Sequence, residues 1–127
     1  MQYLLRINGQ KYSINSIEEL ASYLQTAQKY DYLELWLEQL NGAALSVLVN
    51  KDNAWLMFLR EEGDSGFSSR NPDYIGATNA ELDFLLSNGQ RDKYPTSWCL
   101  PTNKALQAVL HFFEHGEKPE WIQWHED

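Results

Sequence analysis

An antiparallel β-sheet with two main helices packed on it, an α+β fold, is what this chain predicts, and three observations carry the prediction. Short runs alternate apolar and polar residues with a period of two, plainest in YLELWLE, where Leu33, Leu35 and Leu37 interleave with Tyr32, Glu34, Trp36 and Glu38. Two other stretches carry apolar residues at helical spacing. Asn-Gly dipeptides at Asn8-Gly9, Asn41-Gly42 and Asn88-Gly89 mark tight turns, because both residue types accept a positive φ.

In chain order, Tyr3 to Ile7 is apolar and extended, Asn8-Gly9 turns it, and Lys11 to Ile14 returns as the second arm of a hairpin. Ser16 followed by Glu19 is a capping-box pattern, in which hydroxyl and carboxylate satisfy free N–H groups at a helix start. Ile17, Leu20, Ala21, Leu24 and Ala27 form the apolar stripe of that helix, expected to run to about Lys29 or Tyr30. A meander follows: YLELWLE, a turn at Asn41-Gly42, a run with Leu45, Val47 and Val49 on one face, a turn near Lys51 to Asn53, then AWLMFLR. Glu61 to about Pro72 reads as a long loop, a length more often functional than idle. In ELDFLLS, Leu82, Phe84 and Leu86 alternate with Glu81, Asp83 and Leu85, which predicts a fourth strand of the same sheet, closed by Asn88-Gly89. Residues 1–127 are expected to form a single domain, a usual size for one core without staples.

The last forty residues, Asn88 to Asp127, hold the densest signals. Pro95 and Pro101 bracket an extended segment containing Trp98, and Pro101 sits where a helix could begin. Leu106, Val109, Leu110 and Phe113 then mark a buried helical face, Gly116 stands where a left-handed residue ends a helix, and Pro119 blocks continuation. Trp121, Ile122 and Trp124 read as a final short strand or extended tail, with both tryptophans expected to pack the tail onto the helix. This ordered combination of an Asn-Gly-Gln turn, Tyr-Pro, a Pro-started apolar helix, Gly, a charged-Pro step and Trp-Ile-x-Trp resembles the first immunity-protein family of bacterial polymorphic toxin and contact-dependent inhibition systems. The likeness is close over the C-terminal third. Upstream it rests on a strand pair ending at Arg60 and on the acidic, Gly-rich segment Glu61-Glu62-Gly63-Asp64-Ser65-Gly66-Phe67. The resemblance implies a small cytoplasmic protein that binds and neutralises the C-terminal domain of a cognate toxin, commonly one that attacks nucleic acids, with no catalytic residues of its own.

Composition is consistent with that expectation. Net charge is −8, from 18 acidic against 10 basic side chains, which opposes direct binding to phosphate backbones and suits a partner with a basic surface. Cys99 is the lone cysteine, so no internal disulfide can form and a reducing cytoplasm is the simplest compartment. No stretch approaches the roughly twenty apolar residues of a membrane span, so no membrane association is expected.

The sharpest catalytic signal is His111-Phe112-Phe113-Glu114-His115, which fits the H-x-x-E-H pattern of an inverted zinc-peptidase motif. A peptidase needs a third ligand, and the segment after His115 offers only Glu117, Glu120 and Glu126 among its acids before Asp127. The stronger reading is that His115, in the last helical turn, suits the helix dipole and free carbonyls. A small metal-dependent enzyme built on His111 and His115 stands as one alternative, and an adaptor for a non-toxin protein as another. Cys99, between Trp98 and Leu100, reads as a buried inert thiol. Ser65, Ser68 and Ser69 lack the strand-to-helix setting of a nucleophile elbow. No catalytic residue, metal site or cofactor is expected.

What is left is surface recognition. If Leu33, Leu35 and Leu37 face the core, then Glu34, Trp36 and Glu38 share the opposite face, presenting an aromatic anchor between two acids. The competing reading is that the helices cover Trp36 and the two acids lie at the sheet margin, since a sheet can be covered on both faces. Glu61, Glu62, Asp64 and Phe67, with Asp73 beyond them, form a second acidic and aromatic patch. The toxin-binding candidates are therefore Glu34, Trp36, Glu38, Glu61, Glu62, Asp64 and Phe67.

Overall fold

The computed structural model describes residues 2–40 and 42–127. The turn expected at Asn41-Gly42 therefore falls in part on Asn41, outside the described residues.

The chain opens with the expected hairpin, β1 (Tyr3–Ile7) and β2 (Gln10–Ile14), turned by Asn8 and Gly9 at φ 48° and 86°. Helix α1 (Ile17–Ala27) follows. Its capping box forms: Ser16 Oγ accepts from the Glu19 N–H at 3.1 Å, while the Glu19 carboxylate reaches back to the Asn15 N–H at 2.8 Å. Strands β3 (Tyr32–Gln39), β4 (Ala44–Asn50) and β5 (Asn53–Leu59) make the meander. Next come β6 (Phe67–Arg70), β7 (Glu81–Leu85), β8 (Arg91–Pro95), a 3-10 turn at Thr96–Trp98, the two-residue β9 (Leu100–Pro101), α2 (Thr102–His115) and β10 (Gln123–Glu126).

The main sheet is antiparallel in the order β10-β6-β5-β4-β3-β1-β2, with β9 paired to the start of β5 beside β6. Register places Leu5, Leu37, Leu45 and Phe58 in one row and Ile7, Leu35, Val47 and Leu56 in the next. That face packs against Leu20, Leu24 and Ala27 of α1 and Leu106, Val109 and Phe112 of α2 to form the larger core. The helices expected on the sheet are therefore both present, and the fold is α+β. At the end of α2, Gly116 adopts φ 72° and returns its N–H to Phe112 O at 2.8 Å. Gln39 Nε2 donates to Gly116 O, and the Tyr3 hydroxyl donates to Phe112 O, so the helix end is fastened to β3 and β1.

Several expectations are corrected. The ELDFLLS run does form β7, but it pairs only with β8, in a separate two-stranded sheet. This hairpin lies on the second face of the main sheet, where Phe84 and Cys99 bury Leu48 and Trp55, and the Tyr94 ring stacks on Trp55 at 4.0 Å and 8°. Apolar alternation states that one face of a strand is buried and leaves its neighbours unspecified. Its partner RDKYP carries three charges and a proline, so it lacks strand signals of its own. The segment between Pro95 and Pro101 is a 3-10 turn around Trp98 rather than extended throughout.

The long loop from Glu61 to Pro72 is also shorter than expected, because β6 occupies its second half. Its two central serines are buried: Ser69 Oγ accepts from the Leu56 N–H at 3.1 Å and donates to Trp98 O at 2.8 Å, joining β6 to β5 and to the 3-10 turn. Gly66 makes the entry to β6 possible, since at φ 78° an added Cβ would sit 2.6 Å from Phe58 O. In the tail, Trp124 packs into the core with its indole donating to Pro119 O, whereas Trp121 precedes β10 and is 49% exposed. Trp121 thus meets α2 at the surface, its ring edge-on to His111, without entering the core.

Candidate functional site

On the second face of the main sheet, Glu34, Trp36 and Glu38 of β3 point the same way, as their alternation requires. Part of that face is covered by the β7–β8 hairpin, not by the helices, which pack on the opposite face, and Trp36 is left partly exposed. Glu34 marks the boundary. Its carboxylate accepts from the Ser87 N–H at 2.9 Å, the Ser87 hydroxyl at 2.7 Å and the Trp36 indole N–H at 3.2 Å. Burial pushes the Glu34 carboxyl up, but those hydrogen bonds and the Arg6 charge more than offset it and hold its pKa below the ordinary value. Glu34 fastens the hairpin to the sheet.

Beyond Glu34 the face is open. Trp36 sits opposite Arg6 on β1 and Ser46 on β4, and the Arg6 guanidinium lies 5.5 Å from the Trp36 ring centre while donating to the Glu38 carboxylate. Arg6 Nε is buried without a hydrogen-bond partner. One row further along, Glu38, Ala44 and Leu59 are register neighbours across β3, β4 and β5. Past the end of β5 come Glu61 and Glu62, both exposed and, among the described residues, without an ion pair or a side-chain hydrogen bond. The result is a groove of about 580 Å³ bounded by Trp36, Glu38, Leu40, Leu59, Glu61 and Glu62, with Arg6 at its side. Leu40 at its rim is 62% exposed.

Thus four of the seven sequence candidates share one groove. Asp64 lies in the adjacent turn, but its two carboxylate oxygens take the Arg60 Nε and Nη2 at 2.9 Å each, and the Arg60 backbone N–H as well. That clasp holds the Asp64 carboxyl well below the usual carboxylate range and raises Arg60. Phe67 pairs with Phe58 across β6 and β5, which puts it on the helix face, away from Trp36. There its ring receives the Lys118 ammonium at 4.5 Å and the Arg60 guanidinium at 5.0 Å. Asp73 is displaced beyond β6 into the exposed loop that precedes β7. Conversely, the sequence reading lacks Arg6 and Leu59, which only the β1–β3 and β4–β5 register brings to Trp36 and Glu38, and Leu40, which the two-residue alternation beyond Glu38 could have indicated.

The other candidate chemistries have simpler settings. His111 and His115 stand one turn apart on α2 with ring centres 4.5 Å apart, and Trp121 meets His111 edge-on at 6.5 Å. No group of three or more His, Cys, Asp or Glu that could hold a metal ion occurs among the described residues. Cys99 is buried against Phe84 and Trp55, and burial pushes its thiol pKa up to about 12. Among the described residues, no helix is long and apolar enough to cross a membrane.

Comparison with curated proteins finds none that matches this chain. A family model, that of the immunity protein Imm1, matches residues 10–126, a span that takes in β2 through β10 and thus both helices, the hairpin and almost the whole main sheet. With nearly all of the chain matched, this protein belongs to the Imm1 immunity protein family.

Proposed function

We propose that this protein neutralises a cognate bacterial toxin domain by stoichiometric binding in the cytoplasm, and that the toxin acts on nucleic acid. The family match over residues 10–126 is the observation that carries the reading. The groove and the net charge each support it. The groove beside Trp36 combines apolar surface with unpaired carboxylates, the chemistry of a protein interface rather than of a small-molecule pocket. The charge of −8 favours encounter with a basic surface such as a nucleic-acid-processing domain presents, and speeds it by steering. Binding needs no chemistry from the inhibitor.

Co-expression in a sensitive cell, with the two proteins under separate inducers, tests this. Growth should recover as the inhibitor reaches the toxin's copy number. Recovery at a small fraction of that number would instead indicate catalytic inactivation of the toxin, and no recovery at any ratio would remove the neutralisation reading.

A further inference from the structure

We infer that the groove between Trp36 and the Glu61-Glu62 turn is where the toxin docks, and that its occupant is a cationic segment: a Lys or Arg whose aliphatic stem lies along Leu59 and Leu40 and whose head meets Glu61 and Glu62. The inference rests on the neutralisation reading and adds the place and the chemistry of contact. Charge complementarity commits it to a cation. Of the acids that the sequence placed near this surface, Glu34 is engaged by Ser87 and Trp36, Asp64 is clasped by Arg60, and Glu38 is met by Arg6. Glu61 and Glu62, exposed and, among the described residues, without an ion pair, are left as the groove's excess negative charge.

The apolar half of the site is equally specific. Leu40 stands 62% exposed at the rim, and Leu59 and Trp36 are only partly buried. Such a surface beside two carboxylates matches the stem and head of a long basic side chain, which buries its methylenes while keeping the charge near solvent. Trp36 already carries the Arg6 guanidinium at 5.5 Å, so an incoming cation is directed to Glu61 and Glu62 rather than to the ring. The hairpin closes the same face on the Glu34 side, which leaves approach open from the Leu40 side.

The test uses the toxin domain that the co-expression assay shows this chain to neutralise, inactivated by substitution, and the full chain as wild type, Glu61→Lys with Glu62→Lys, Leu40→Ala, and a charge-matched control, Glu114→Lys with Glu117→Lys on the helix side. Folding of each is checked by its amide spectrum, and rates are measured at several salt concentrations. The groove reversal should slow association on the order of tenfold or more at low salt and flatten its salt dependence, while the control changes it by roughly twofold at most. Leu40→Ala should chiefly speed dissociation. A wild-type complex whose rates are unchanged in both groove variants, or are slowed equally by the control, overturns the groove and leaves neutralisation standing. Absence of any wild-type complex removes the neutralisation reading itself, and the groove assignment with it.

Discussion

Glu34 offers the sharpest separation between what holds this fold and what meets a partner. Replacing Glu34 by Ala deletes three hydrogen bonds to one carboxylate, from the Ser87 N–H, the Ser87 hydroxyl and the Trp36 indole. Hydrogen bonds to a charged group contribute about 1.5–3 kcal/mol each when dry, but the Ser87 pair is exposed and water replaces it in part, so a total near 2 kcal/mol is the reasonable scale. The loss should be local. The hairpin keeps its Trp55–Tyr94 stack and the bond from Asn50 to Asp83 O, and should open more often without leaving the sheet. Two kcal/mol corresponds to a roughly thirtyfold larger opening equilibrium constant, measurable by native-state amide exchange at the Leu86 and Thr96 N–H groups, which are bonded to Gln90 O and Ala80 O. Glu34→Gln should fall between wild type and Ala. The same carboxylate gives a pH signature: with its pKa depressed in the folded state, its contribution is present above its ordinary value of 4.5 and fades as pH falls through the lower folded value. Hairpin protection should therefore drop below about pH 4.5 in wild type and stay flat there in Glu34→Ala. Unchanged exchange at Leu86 and Thr96, or an equal rise at the central strand residue Val47, would refute the assignment of Glu34 as the hairpin's fastener.

Three further outcomes are expected. Cys99, buried with its thiol pKa raised to about 12, should not react with an aromatic disulfide reagent at pH 8 until denaturant unfolds the chain; prompt labelling of the native protein would show that the hairpin opens over it. Phe112→Ala empties a fully buried site between Tyr3 and Phe58 and should cost about 3–5 kcal/mol in a urea titration, whereas Phe113→Ala, only partly buried, should cost clearly less. Replacing both His111 and His115 by Gln should leave toxin neutralisation intact, with stability changed by less than about 1 kcal/mol; loss of neutralisation in a folded double variant, together with loss of a bound metal, would restore the metal-enzyme alternative.

What the sequence revealed was local, and what it hid depended on register. The capping box at Ser16 and Glu19, the left-handed stop at Gly116 and the three meander strands are each written within a few residues, and each forms. The partner of β7 is not written anywhere nearby, since RDKYP shows no apolar alternation, and the hairpin's seat on Leu48 and Trp55 follows from the sheet rather than from the segment. β6 is hidden for a related reason: its FSSR sequence buries two serines, and hydroxyl hydrogen bonds stand in for apolar packing. The site divides the same way. Glu34, Trp36 and Glu38 share a face by alternation alone, and Arg60 with Asp64 at four-residue spacing could have been read as a clasp that removes Asp64 from the surface. That Glu61 and Glu62 lie beside Trp36, while Phe67 crosses to the helix face, needs the β3–β4–β5–β6 pairing in hand.

The most direct measurement of the central claim is the residual activity of the toxin against the molar ratio of this protein, at concentrations well above the dissociation constant. A straight decline reaching zero at one inhibitor per toxin, reversed when the complex is dissociated and the toxin recovered, is the expected result. Complete loss of activity at a small fraction of one equivalent, or a toxin that stays inactive after separation, would contradict neutralisation by stoichiometric binding.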